Sequence, residues 1–151
     1  KKSKMPLKIA GIIQDQNYFQ TEVLPLIDNE QIIYLGSAGP EERNRLLGEA
    51  YALLHPIYFA EPFGLSVVEA MACGTPVIAF DRGSMPEVIA NGKTGFIVRE
   101  IAEAVECMPD VSRLSRFECR KWVENHFSQD IMTEKYIDLY RQILQKHPVS
   151  D

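Results

Sequence analysis

Two glutamates bracket a glycine in the segment Glu61-Pro-Phe-Gly-Leu-Ser-Val-Val-Glu69. Glu69 lies inside the apolar run Leu65-Ser-Val-Val-Glu-Ala-Met-Ala-Cys73, which leaves a helix little solvated face. A carboxylate there needs strong hydrogen-bond donors or a cation. A ribose diol supplies two hydroxyl donors. The alternatives are a structural partner such as an arginine, or an exit to solvent along a narrow stripe. Gly64 stands where the loop becomes helix. The first amides of a helix have no intrahelical acceptor, and the helix dipole is positive there. That end is a seat for a phosphate. Glu61 precedes the seat and can accept hydroxyls from a sugar beyond the phosphates; its alternative is plain loop solvation. Singly the bland alternatives are favoured. On one strand-loop-helix unit the order ribose, pyrophosphate, sugar is favoured over them.

The elements that must position these residues follow from hydrophobic pattern. Apolar runs at residues 7–13, 31–35, 52–55, 76–80 and 95–98 read as strands. Between them, residues 18–27, 40–51, 65–73 and 86–90 read as helices, the second opened by Pro40 with Glu41 and Glu42 in its first turn. Strands alternating with helices give an α/β fold with a Rossmann-like parallel sheet. Unbroken apolar strands fit a sheet covered on both faces. From Ile101 onward the pattern is all helical, at residues 101–108, 113–126 and 129–146. In the last, Met132, Tyr136, Leu139, Tyr140 and Ile143 form a stripe expected to pack. The division is thus an α/β part over residues 1–100 and C-terminal helices over 101–151 that pack on it.

Several function classes are disfavoured. The net charge of -5 over 151 residues, with 46% apolar and 25% charged residues, is that of an ordinary globular domain and carries no basic footprint for nucleic acid. No apolar run reaches the roughly 18–20 residues of a membrane span, and no signal peptide opens the chain. Cys73, Cys107 and Cys119 lack metal-ligand spacing and read as reduced core thiols, so a cytoplasmic setting is expected. After the first strand comes Gln14-Asp-Gln-Asn17 rather than a glycine fingerprint, and Gly92-Lys-Thr94 lacks the upstream P-loop glycine. No Asp-x-Asp pair, His-Glu-x-x-His or Gly-x-Ser-x-Gly is present. Neither metal nor cofactor is expected. His126 and His147 read as surface positions, while His55 ends a strand, where ligands of α/β sheets bind.

The ordered set Glu61-Pro-Phe-Gly-Leu-Ser-Val-Val-Glu-Ala-Met-Ala-Cys-Gly-Thr-Pro-Val-Ile-Ala79, Arg82-Gly-Ser-Met-Pro-Glu87 and Asn91-Gly-Lys-Thr-Gly95 closely resembles the signature of family 4 retaining glycosyltransferases. Upstream Ile33-Tyr-Leu-Gly36 and Leu53-Leu-His-Pro56, and the tail Val123-Glu-Asn-His-Phe-Ser128, fit the same family. The resemblance implies the C-terminal half of a GT-B architecture and metal-independent transfer from a nucleotide diphosphate sugar, most simply a UDP-sugar. It assigns Glu61 to the donor sugar as the residue nearest the catalytic step, without a nucleophile role. Phe63, Gly64 and Leu65 would line sugar and phosphates through backbone amides. Glu69 would hold the ribose, Gly36 and Ser37 the base, and Gly83 the sugar-facing loop. Ser84 replaces the second glycine of the family's usual pair. The family's first, central strand and its cationic Arg/Lys segment are missing, as is the acceptor-binding N-terminal domain. The chain alone is therefore expected to be inactive. A non-catalytic nucleotide-sugar-binding module and a GT-B sugar-nucleotide epimerase are the alternative readings.

Overall fold

The structure, a computed structural model, describes residues 5–146. Its five strands are β1 (Leu7–Ala10), β2 (Ile32–Gly36), β3 (Leu53–His55), β4 (Val77–Phe80) and β5 (Gly95–Val98). All pairings are parallel, with β1 on β2 in one sheet and β3-β4-β5 in another. The α/β reading with flanking helices holds.

β4 is buried along its whole length. Side chains alternate across a strand, so it serves two cores. Val77 and Ala79 pack with Val67, Ala70 and Met71 of α3 (Leu65–Ala72), Met85 and Val88 of α4 (Met85–Val88), and Cys119 and Val123 of α6 (Arg116–His126). Ile78 and Phe80 pack on the other face with Val98 and Val111. Truncating a residue as deep as Met71 typically costs about 2–5 kcal/mol.

The first helical segment departs from the expected α-helix over residues 18–27. A single α-turn, α1 (Gln16–Tyr18), starts under Asp15, whose carboxylate accepts from the Tyr18 amide. The chain then widens to a π-helix at Phe19–Val23 and tightens to a 3-10 turn at Leu24–Leu26. Pro25 has no N–H to donate to the preceding turn, which prevents a regular α-helix from running on. β1 stops short of the expected residue 13, because Gly11 leaves the strand with φ 155° while its amide and carbonyl are held by Gly36 and Tyr34.

α2 (Pro40–Glu49) ends two residues earlier than expected. Its last carbonyls are capped from a distance. Arg116 donates to Gly48 (2.6 Å), Ala50 (2.8 Å) and the Thr75 hydroxyl (2.8 Å), and Thr75 donates to the Leu47 carbonyl. The expected helix over residues 101–108 is α5 (Ile101–Cys107). The one over 113–126 is shorter: Met108–Arg113 forms a 3-10 turn around Pro109, and α6 starts under the Ser115 cap. α7 (Gln129–Lys146) has the expected bounds, but its stripe is exposed, with Met132, Tyr136, Leu139, Tyr140 and Ile143 all between 46% and 60% accessible.

Candidate functional site

Two glycines shape the loop between β3 and α3. Gly64 is the N-cap of α3 with φ 84°, and a Cβ there would strike the Met85 side chain. Gly83 has φ 55°, and a Cβ there would run into the backbone of Glu61. The two loops close on each other through the Ser84 amide, which donates to the Glu61 carbonyl at 2.9 Å. This contact needs glycine at 83, and it brings together Glu61, Gly64 and Gly83, which sequence reasoning assigned to one site.

The α3 N-terminus has the polarity expected of it. The Val67 and Val68 amides reach back to the Gly64 carbonyl. Those of Leu65 and Ser66 have no acceptor among the described residues. The Glu61 carboxylate lies beside this end and accepts from the Gly64 amide at 3.2 Å. That is the favourable place for an anionic side chain at a helix start.

Glu69 lies five residues beyond Gly64, about 7.5 Å along the helix axis. The expectation that its carboxylate is buried needs correcting: the side chain is 35% exposed, because Ser66 and Leu65 leave that edge of α3 open. Of the partners considered for it, an arginine is present. Arg43 of α2 reaches it at 3.0 Å, to Oε1. Both glutamates are thus pinned through one oxygen by a protein donor, Gly64 or Arg43. The second oxygen of each has no protein partner among the described residues.

Phe63 and Leu65 expose their side chains at 41% and 69%, so their backbone atoms are what the α3 end can offer. The Phe63 ring stands edge-on against Phe127 at 5.8 Å, which fixes the loop to the end of α6. Gly36 ends β2 with φ 73°, and Ser37 is exposed on the link to α2. These two stand apart from Glu61 in the chain and connect to the site through α2 and its Arg43–Glu69 pair. His55, at the carboxyl end of β3, has its Nε2 buried without a protein partner, as does Ser84 Oγ. Burial pushes the His55 imidazole below its ordinary value, opposed by the nearby Glu61 carboxylate.

Arg43, Ser84 and Phe127 were not among the residues picked from sequence. Arg43 carried a signal: three and four residues to either side of it lie Pro40, Gly39, Leu46 and Leu47, so it has no acid to pair with on its own helix. Arg45, by contrast, sits between Glu42 and Glu49 and pairs with both. No group of three His, Cys, Asp or Glu side chains suited to a metal occurs among the described residues. A groove of about 430 Å³ lined by Asp81, Pro86, Asn91, Ile97, Arg99 and Glu103 contains none of the sequence-predicted residues. It is open to solvent. No helix among the described residues is long and apolar enough to cross a membrane.

Residues 1–108 match the family described as glycosyl transferases group 1. A 41.2 kDa protein of the cps region of Klebsiella pneumoniae is 32% identical over 126 residues, which is 80% of this chain and 35% of that protein. Among solved structures, AviGT4, a glycosyltransferase involved in avilamycin A biosynthesis, superposes with a TM-score of 0.78 at 23% identity, over 95% of this chain and 45% of that one. Anabaena Alr3699/HepE, solved in complex with UDP-glucose, superposes with a TM-score of 0.69 at 20% identity, over 93% of this chain and 43% of that one. The chain therefore spans 35–45% of the length of these relatives.

Proposed function

The chain belongs to the glycosyl transferases group 1 family, and from that membership we propose that it is the donor-binding part of a retaining, metal-independent, cytoplasmic glycosyltransferase that uses a UDP-sugar. In this reading Glu69 accepts ribose hydroxyls through its unpinned oxygen. The open amides of Leu65 and Ser66 take the diphosphate. The unpinned oxygen of Glu61 takes a donor-sugar hydroxyl, beside the backbone of Phe63 and Gly64. Gly36 and Ser37 flank the base, and the loop at Gly83 closes on the sugar. The α/β part over residues 1–100 carries these groups, and α6 packs on α3 behind them.

One observation carries the reading. Two half-satisfied carboxylates lie on either side of an open helix N-terminus, about the order in which a nucleotide sugar presents hydroxyls, anion and hydroxyls. UDP-glucose bound by a protein of the same fold supports the choice of donor. The acceptor-binding half and the cationic partners of the diphosphate are supplied by a separate part of the enzyme. The 151-residue chain by itself is then expected to transfer no sugar, and measurable transfer by it would overturn that part of the proposal.

The test is a thermal-shift panel of UDP-, GDP- and ADP-sugars on the intact gene product. A nucleotide at about 100 times its Kd stabilises by about 2.7 kcal/mol. A UDP-sugar is expected to raise the melting temperature, with Glu69→Gln abolishing most of the rise. No rise with any of the panel would sink the proposal.

A further inference from the structure

Arg43 is the one cation that reaches either glutamate among the described residues. The geometry points to Arg43 as a positioning residue that sets selectivity for the ribose: it holds Glu69 through Oε1 so that the other oxygen faces the sugar hydroxyls. This rests on the ribose reading of Glu69 given above.

Three observations support it. The first is directional. With no carboxylate three or four residues away on α2, Arg43 is directed across to α3, while its neighbour Arg45 pairs within its own helix. The second is support. The Arg43 amide donates to the Gly39 carbonyl at 2.8 Å at the start of α2, and Arg116 with Thr75 fixes the other end. The guanidinium therefore projects from a helix held at both ends. The third is magnitude. The pair is 46% and 35% exposed, and exposed ion pairs contribute little to stability. A role in folding alone is a weak reason to build it. A carboxylate free to rotate, in contrast, must lose that freedom when a diol binds.

The location adds specificity. α2 follows directly on Gly36 and Ser37, the residues read as flanking the base. A base seated at the end of β2 and a ribose at Glu69 are then measured against each other by one helix, through one side chain. The guanidinium is a planar fork that a lysine ammonium does not reproduce.

The experiment measures UDP and 2′-deoxy-UDP binding by calorimetry on the intact gene product, in the wild type and in Arg43→Met, Arg43→Gln and Arg43→Lys. The methionine keeps the apolar stem. The wild type is expected to prefer UDP by about tenfold or more, the effect of losing one hydrogen bond to a charged group. Arg43→Met is expected to lose most of that preference: UDP binding weakens about tenfold, 2′-deoxy-UDP binding stays within about twofold, and the ligand-free melting temperature moves little. Arg43→Lys is expected to lie between. An unchanged UDP to 2′-deoxy-UDP ratio in Arg43→Met, with wild-type binding intact, overturns the role of Arg43 and leaves the proposed function standing. If Arg43→Met melts well below the wild type, the same ratio in Arg43→Gln decides. Absence of UDP binding by the wild type overturns both.

Discussion

The guanidinium of Arg116 donates to the carbonyl oxygen of Ala50, 66 residues earlier in the chain, at 2.8 Å. The same side chain reaches Gly48 and Thr75, so the first turn of α6 caps the end of α2. Carbonyls at a helix end otherwise depend on water or local turns. Hydrogen bonds to a charged group are worth about 1.5–3 kcal/mol each in net terms. Arg116→Met keeps the stem and removes three such bonds, partly offset by water. The expected loss is about 2 kcal/mol, or roughly 4–8 °C in melting temperature for a chain of this size. A scanning melt of the variant checks this, and a change below about 1 °C would show that the clamp is idle.

Gly83 permits the close approach of its loop to Glu61, and Gly92 offers a control. Both have positive φ, 55° and 76°, but a Cβ at 92 meets open space while one at 83 meets the Glu61 backbone. Gly92→Ala should cost only the left-handed conformation, about 1–2 kcal/mol. Gly83→Ala carries that cost and must also push the loop off Glu61, breaking the Ser84 hydrogen bond, for about 1–3 kcal/mol more. Denaturant midpoints of the two variants measure the difference directly. Equal midpoints would show that the loop yields freely and that glycine at 83 serves φ alone.

Much of this was legible from residue order, and the limits have physical causes. β4 and β5 were readable because a strand buried on both faces is an unbroken apolar run, bounded here by Pro76 and by the Asn91–Gly92 turn. The segment over residues 18–27 is not the expected α-helix because period alone does not separate α from π turns, and Pro25 acts on the turn before it. Glu61 and Glu69 were legible through spacing around a glycine. The partner of Glu69 was not, since Arg43 and Arg45 are equally charged and only the packing of α2 on α3 selects between them. The exposure of Glu69 was missed because apolar neighbours in sequence do not say which edge of a short helix stays uncovered.

His55 gives the site a pH dependence of stability. Its imidazole is pushed down by burial, with Glu61 opposing. A base with a depressed folded value is neutral in the fold over a range where the unfolded chain binds the proton. Its contribution is therefore fully present above the unfolded value of about 6.5 and is lost as pH falls through the lower folded value. Unfolding midpoints in urea between pH 8 and pH 5 should fall more steeply for the wild type than for His55→Phe. Parallel curves would show that the imidazole titrates as it does in the unfolded chain.

The thiols test how tightly α6 is seated. Cys119 is fully buried, and its Sγ lies 3.6 Å from the Thr94 carbonyl. Burial pushes its thiol up to about 11, with the neighbouring Arg116 opposing. At pH 8 that leaves about one thiolate in a thousand, and the thiolate is the nucleophile. Cys73 is only half-buried. Alkylation of the native protein at pH 8, followed by mass spectrometry, should modify Cys73 well before Cys119. Cys119 should react at the rate at which α6 lifts from α3 and β4. Because Arg116 anchors the first turn of that helix, Arg116→Met should speed labelling of Cys119 and leave Cys73 nearly unchanged. If Cys119 reacts as fast as Cys73 in the wild type, α6 is not held by its cap and its core contacts.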